Sequence, residues 1–233
     1  MIDQSQRKAA RVAGLTYLFA TAAVVVANFA IHERLMVAGE AVQTARNIMA
    51  HERLFRVGIG LGLFYCAGLL LLVTALNIIL TPINRNFALL ATFWSLVWVL
   101  IWILMTLNLF DVLRFLSGAP YLRAFETGQL QALARLYFRA RFDEYYFGLL
   151  FWGLGSAVWS YLWFKSNYIP RALAAFGVIS YTWAAVCSIA LILFPNYSKV
   201  VNLWWFDSPM GIFEVTMSFW LLFKGLKPPA ERA

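Results

Sequence analysis

Charge and the residues of catalysis are what this chain of 233 residues has least of. Asp, Glu, Lys and Arg make up only 13% of it against 62% hydrophobic residues, and a soluble domain carries about 25% charge. A water-soluble core cannot absorb that much apolar surface, so a soluble globular protein is excluded. Two histidines and two cysteines leave little for metal or redox chemistry. Cys66 and Cys187 fall inside apolar runs, where a cysteine acts as a small buried hydrophobe. There is no His-x-x-x-His, Cys-x-x-Cys, Gly-x-x-x-x-Gly-Lys-Ser/Thr or Gly-x-Ser-x-Gly, so no cofactor and no metal are expected. His32-Glu33 and His51-Glu52 could in principle share one metal ion, but both lie in polar connections and read as solvated surface.

What the chain has in abundance is long hydrophobic runs. Six of them, at about residues 12–31, 54–80, 87–110, 145–164, 172–194 and 209–223, approach or exceed the ~20 residues that a crossing needs. The expected fold is all-α, a single membrane domain over residues 1–233 built as an integral bundle of six transmembrane helices. The first run follows Arg7, Lys8 and Arg11 and continues to Ala30, longer than the apolar core of a secretory signal, and is read as a retained helix. Pro82, Pro170 and Pro195 punctuate the turns. Two polar connections carry helical periodicity: Val42, Ala45, Ile48 and Met49 in one, Leu130, Leu133, Ala134, Tyr137 and Phe138 in the other, opposite Gln131, Arg135 and Arg139. They predict two interfacial amphipathic helices.

The net charge of +8 is scattered in ones and twos at the ends of apolar runs, which suits anionic lipid headgroups and not nucleic acid. An even number of spans places both termini on one side. Arg7, Lys8, Arg11, Arg85, Lys165, Arg171, Lys224, Lys227 and Arg232 lie there in short segments, which favours cytoplasmic termini.

Ionisable residues inside spans are the candidate functional groups, because an unpaired charge in hydrocarbon costs at least about 2.5 kcal/mol. Glu214 lies five residues past Pro209, about 7 Å deeper along a helix. It is either a paired interfacial carboxylate or a functional one. Asp111 and Arg114 share a helix face and can pair with each other. In this topology Arg56, Arg141 and Glu144 belong to the same membrane level, so these groups are expected to line a polar mouth above an apolar cavity on the non-cytoplasmic side. Trp94, Trp98 and Trp102 form a stripe that either packs between helices or walls a hydrophobic pocket. Gly58 and Gly62 allow close helix approach.

Several stretches together resemble a known family. They are Arg7-Lys8-Ala9-Ala10-Arg11-Val12-Ala13-Gly14-Leu15-Thr16-Tyr17-Leu18, Leu54-Phe55-Arg56-Val57-Gly58, Pro82-Ile83-Asn84-Arg85-Asn86-Phe87-Ala88-Leu89-Leu90, Tyr121 to Phe125 with Gln129 to Ala134, and Tyr168-Ile169-Pro170-Arg171. In this order they resemble the DUF4386 family of bacterial membrane proteins. The resemblance implies a multi-pass fold and carries no activity. It also implies an arginine at the place of Ser95 and a histidine at that of Gly155, where this chain departs from it.

The function expected on these grounds is binding of a lipophilic small molecule or lipid, or of a membrane-protein partner, through an outer-leaflet cavity. The rival is a membrane-embedded enzyme that uses Glu214, or Asp111 and Arg114, on a lipid-like substrate. A secondary transporter ranks last, since neither inverted repeats nor broken helices are evident. The location expected is the bacterial cytoplasmic membrane.

Overall fold

Helices account for nearly all of the computed structural model, which describes residues 2–194, 196–197, 200–202 and 204–227, with no strand among them. The first helix starts on a reciprocal cap. Asp3 Oδ1 accepts the Gln6 N–H at 2.7 Å and Gln6 Oε1 accepts the Asp3 N–H at 3.1 Å, so two otherwise orphaned donors are satisfied. From there α1 (Gln4–Val25) runs into a π-helical stretch, Val26–His32, and a last turn, α2 (Glu33–Leu35), before Met36 turns extended. The short α3 (Ala41–Ala50) follows, then α4 (Glu52–Leu80), which ends just before Pro82. Asn84 Oδ1 caps α5 (Arg85–Leu116) by accepting the Phe87 N–H at 3.1 Å. The remaining helices are α6 (Thr127–Ser166), α7 (Arg171–Leu193) and α8 (Trp204–Phe219), the last continued by π-helical Trp220–Lys224.

Five helices are long and apolar enough to cross a membrane: Gln4–Leu35, Glu52–Leu80, Arg85–Leu116, Thr127–Ser166 and Arg171–Leu193. Their surfaces follow a lipid solvent. Leu71, Phe93, Leu100, Leu104 and Ile179 are all more than half exposed, whereas a water-soluble monomer does not display large apolar residues in such numbers. The chain is therefore an integral membrane protein.

Three boundaries differ from expectation. The second amphipathic stretch and the fourth span are one helix of 40 residues, because nothing between Arg139 and Phe147 breaks a helix: there is no proline and no glycine. The first span does not end at Ile31 but carries His32 to Leu35 with it. The sixth apolar run becomes helical at Trp204, ahead of Pro209. Proline at that position cannot bond the carbonyl of Trp205, and the Trp183 indole N–H donates to that oxygen instead, at 3.3 Å. Pro195 and Arg232 lie outside the described residues.

The chain divides into two compact units, residues 1–21, 67–100 and 146–233 in one and 22–66 and 101–145 in the other. In the first, small residues let helices approach closely. A methyl group at Gly153 would meet the Tyr181 carbonyl at 2.9 Å, and one at Gly177 would meet the Phe213 ring at 2.6 Å. Polar groups pair across other helix contacts of this unit: Asn77 Nδ2 donates to Thr92 Oγ1 at 2.9 Å and Gln6 Nε2 to the Ile79 carbonyl at 2.9 Å. The second unit has its own core, with Phe55, Val112 and Phe138 fully enclosed among Ile31, Ile48, Ile59 and Leu113.

Candidate functional site

The second unit holds a small cavity of about 20 Å³, open on one side, between the end of the first helix and parts of α4, α5 and α6. Apolar residues form most of its wall, among them Ala27, Ile59, Met105 and Leu109. Asn28, His32, Thr106 and Arg141 are the polar exceptions. Two features of the sequence shape the cavity walls. Glycines at 58 and 62 let His32 and Thr106 pack close to the α4 backbone; a Cβ on Gly62 would come within 3.2 Å of Thr106 Oγ1, and one on Gly58 would overlap His32 Nε2. The π-helical stretch supplies Ala27, Asn28 and His32 to the opposite wall, with the Glu33 N–H bonding back five residues to the Asn28 carbonyl. Such insertions re-aim side chains and recur at functional sites.

His32 and Arg141 are 2% and 5% exposed. Neither ring nitrogen of His32 has a hydrogen-bond partner, and neither do Nε and Nη1 of Arg141. What touches them is aromatic. The His32 ring packs against Phe55 at 5.2 Å and Phe138 at 6.2 Å, and the Arg141 guanidinium lies over Phe138 at 4.6 Å and Phe142 at 4.8 Å. The expectation that His32 is solvated surface is corrected here: its helix does not stop before it, and the π-turn rotates it inward. His51 is exposed, and no group of three metal-ligating residues occurs among the described residues.

The other sequence candidates divide between the units. In the second unit Arg114 pairs with Asp111 at 2.7 Å and Arg56 with Glu52 at 2.7 Å, and both guanidinium groups flank the Phe110 ring at 5.3 and 5.5 Å. Glu144 accepts a hydrogen bond from Asn108 Nδ2 and keeps its other oxygen buried without a partner. Trp102 is buried against Tyr65, ring centroids 4.7 Å apart, and reaches the cavity wall.

In the first unit Trp94 is half-buried and Trp98 stacks on Trp152 at 6.1 Å. Thus the tryptophan stripe fills helix packing over much of its length and turns to the cavity at one end. Glu214 is fully engaged there: Tyr181 donates to Oε1 and Thr21 to Oε2, each at 3.1 Å, and Tyr181 packs edge-on against Phe213. No ion pair to Glu214 occurs among the described residues. Ser95 and Gly155 turn out to face each other, since a Cβ at Gly155 would meet Ser95 Oγ at 3.0 Å. The space that larger polar side chains would need is taken by Trp159, whose indole donates to Ser95 Oγ at 3.3 Å.

This is a polytopic α-helical membrane protein with an apolar cavity that contains buried, unpartnered nitrogen groups. Residues 12–225 match the family described as Domain of unknown function (DUF4386), and the chain belongs to that family. No curated protein and no solved structure matches it.

Proposed function

We propose that this protein binds a lipophilic small molecule or lipid in the cavity of its second unit. The observation that supports the reading is the wall itself: mostly apolar residues line a space inside a chain whose solvent is hydrocarbon. Cavities that bind small molecules share this composition, mostly apolar with a few convergent polar groups. Trp102 and Arg141 belong to the proposed ligand set. Arg56, Asp111, Arg114 and Glu144 make the polar rim of the same unit. Trp94, Trp98 and Glu214 support the fold of the other.

The topology proposed is six spans in a bacterial cytoplasmic membrane with both termini cytoplasmic, α8 and its π-helical extension serving as the sixth. By chain order the cavity residues then belong to the outer half of the bilayer. The rival, an enzyme acting on a lipid-like substrate, has the Tyr181 and Thr21 contacts to Glu214 in its favour. It requires turnover that Glu214→Gln abolishes while binding persists.

The test is organic extraction of protein purified with its surrounding membrane, followed by mass spectrometry against the bulk membrane extract. One molecular species enriched to about one per chain supports binding. An extract identical to bulk lipid, with a second polypeptide retained in fixed ratio, replaces the reading with a partner-binding subunit.

A further inference from the structure

The cavity carries more information than its apolar wall. A cation in a membrane interior is tolerated when it is paired or reaches water, and Arg141 does neither with its Nε and Nη1. Stacking on Phe138 and Phe142 accounts for the faces of the guanidinium but leaves its in-plane N–H groups unused. Burial of an unmatched charge costs more than a cation–π contact returns. The nearby carboxylates do not close the gap. The ion pairs among the described residues are Arg56 with Glu52 and Arg114 with Asp111, and neither Glu33 nor Glu144 comes within ion-pair distance of Arg141. His32 adds a second unmet donor, because a neutral imidazole always carries one N–H, and it lines the same cavity.

We infer that the polar part of this cavity is a site for an anionic oxygen group, a carboxylate or phosphate, bound by the Arg141 guanidinium and a His32 ring nitrogen. The inference rests on the binding function proposed above and names the ligand class: a lipophilic molecule with a small, negatively charged head. Guanidinium groups suit such heads because their parallel N–H bonds match carboxylate and phosphate geometry. The head is small because the space is. The enclosed space is about 20 Å³, room for little more than a water-sized group, so it seats the oxygens of a small head with the rest of the molecule at the open side, and a glycan-bearing head exceeds it. Gly58 belongs to the site as well, since any side chain there would displace the His32 ring.

The experiment measures binding of three probes to delipidated full-length protein: oleate, oleyl alcohol with the same chain and no charge, and inorganic phosphate. The expected result is oleate bound roughly tenfold or more tighter than the alcohol, the order of one charge-assisted hydrogen bond. Arg141→Gln should erase that difference and leave the alcohol unchanged, and Arg141→Lys should keep part of it. Should Arg141→Gln not fold, the comparison of oleate with oleyl alcohol on the wild-type protein and on Arg141→Lys still decides. Equal binding of the two amphiphiles overturns the anion site and leaves the lipophilic reading standing. Binding of phosphate with neither amphiphile, lost in Arg141→Gln, upholds the anion site and overturns the lipophilic ligand. No binding of any probe overturns both.

Discussion

At the scale of single residues the account turns on a glycine and a carboxylate. Gly58 has no side chain because the His32 ring occupies the place that a Cβ would take. Gly58→Ala should therefore behave as an overpacked core, losing about 1–3 kcal/mol in a thermal unfolding measurement. His32→Ala in the same chain should recover part of the loss, and an unchanged melting temperature in Gly58→Ala would contradict the packing. Glu214 is held by hydrogen bonds from two other helices, and such bonds in membranes average about 0.6 kcal/mol with a ceiling near ~1.7 kcal/mol. A double-mutant cycle of Tyr181→Phe and Glu214→Gln should return a coupling in that range. A coupling of zero would show that the contact carries no stability. Glu214 was legible in the sequence, since a charge inside an apolar run announces itself. His32 was not: its immediate neighbours Glu33 and Arg34 look like surface, and only the π-turn behind it points it inward.

The elements of this fold are set by their ends. Proline after α4 and before α7 stops and starts helices where the sequence reading placed them, because a proline acts locally and needs no tertiary context. Continuity is harder to read. Charged residues between Arg139 and Glu144 separated the two stretches in the sequence, yet the backbone there has no reason to stop, and Arg141 is buried with aromatic rings against its guanidinium faces. The π-helical stretch at Val26–His32 left no sequence signal, as its residues are ordinary helix-compatible ones. The cap at Asp3 offers a prediction at this scale. Asp3→Ala should destabilise the first turn of α1 by about 0.5–2 kcal/mol, seen as faster amide exchange over residues 4–7 with the rest of the helix unchanged. Exchange unaltered at those amides would rule out the capping role.

For the whole molecule, composition alone decided the solvent. The apolar residues that exclude a soluble fold are those that the structure displays outward, Leu71, Phe93, Leu100 and Ile179 among them. The length of the runs marked the five helices that can cross a membrane, but composition cannot say which polar side chains converge, so the cavity with its pair of unmatched cationic and imidazole groups emerged only from the three-dimensional arrangement. The proposed topology predicts that single cysteines introduced at Ile2 and at Leu226 react with a membrane-impermeant thiol reagent only in inverted vesicles. Reaction from opposite faces would reduce the number of crossings to an odd one.

The cavity as a binding site is tested most directly by native mass spectrometry of the wild-type protein beside Gly62→Leu and Gly60→Leu. Gly62 lines the cavity and packs against Thr106, whereas a side chain at Gly60 meets nothing within 4 Å. The account predicts one bound lipophilic molecule on the wild-type and Gly60→Leu proteins and its loss from a folded Gly62→Leu. The same occupancy in all three would place the ligand elsewhere, and the absence of any bound molecule from the wild-type protein would contradict a binding function.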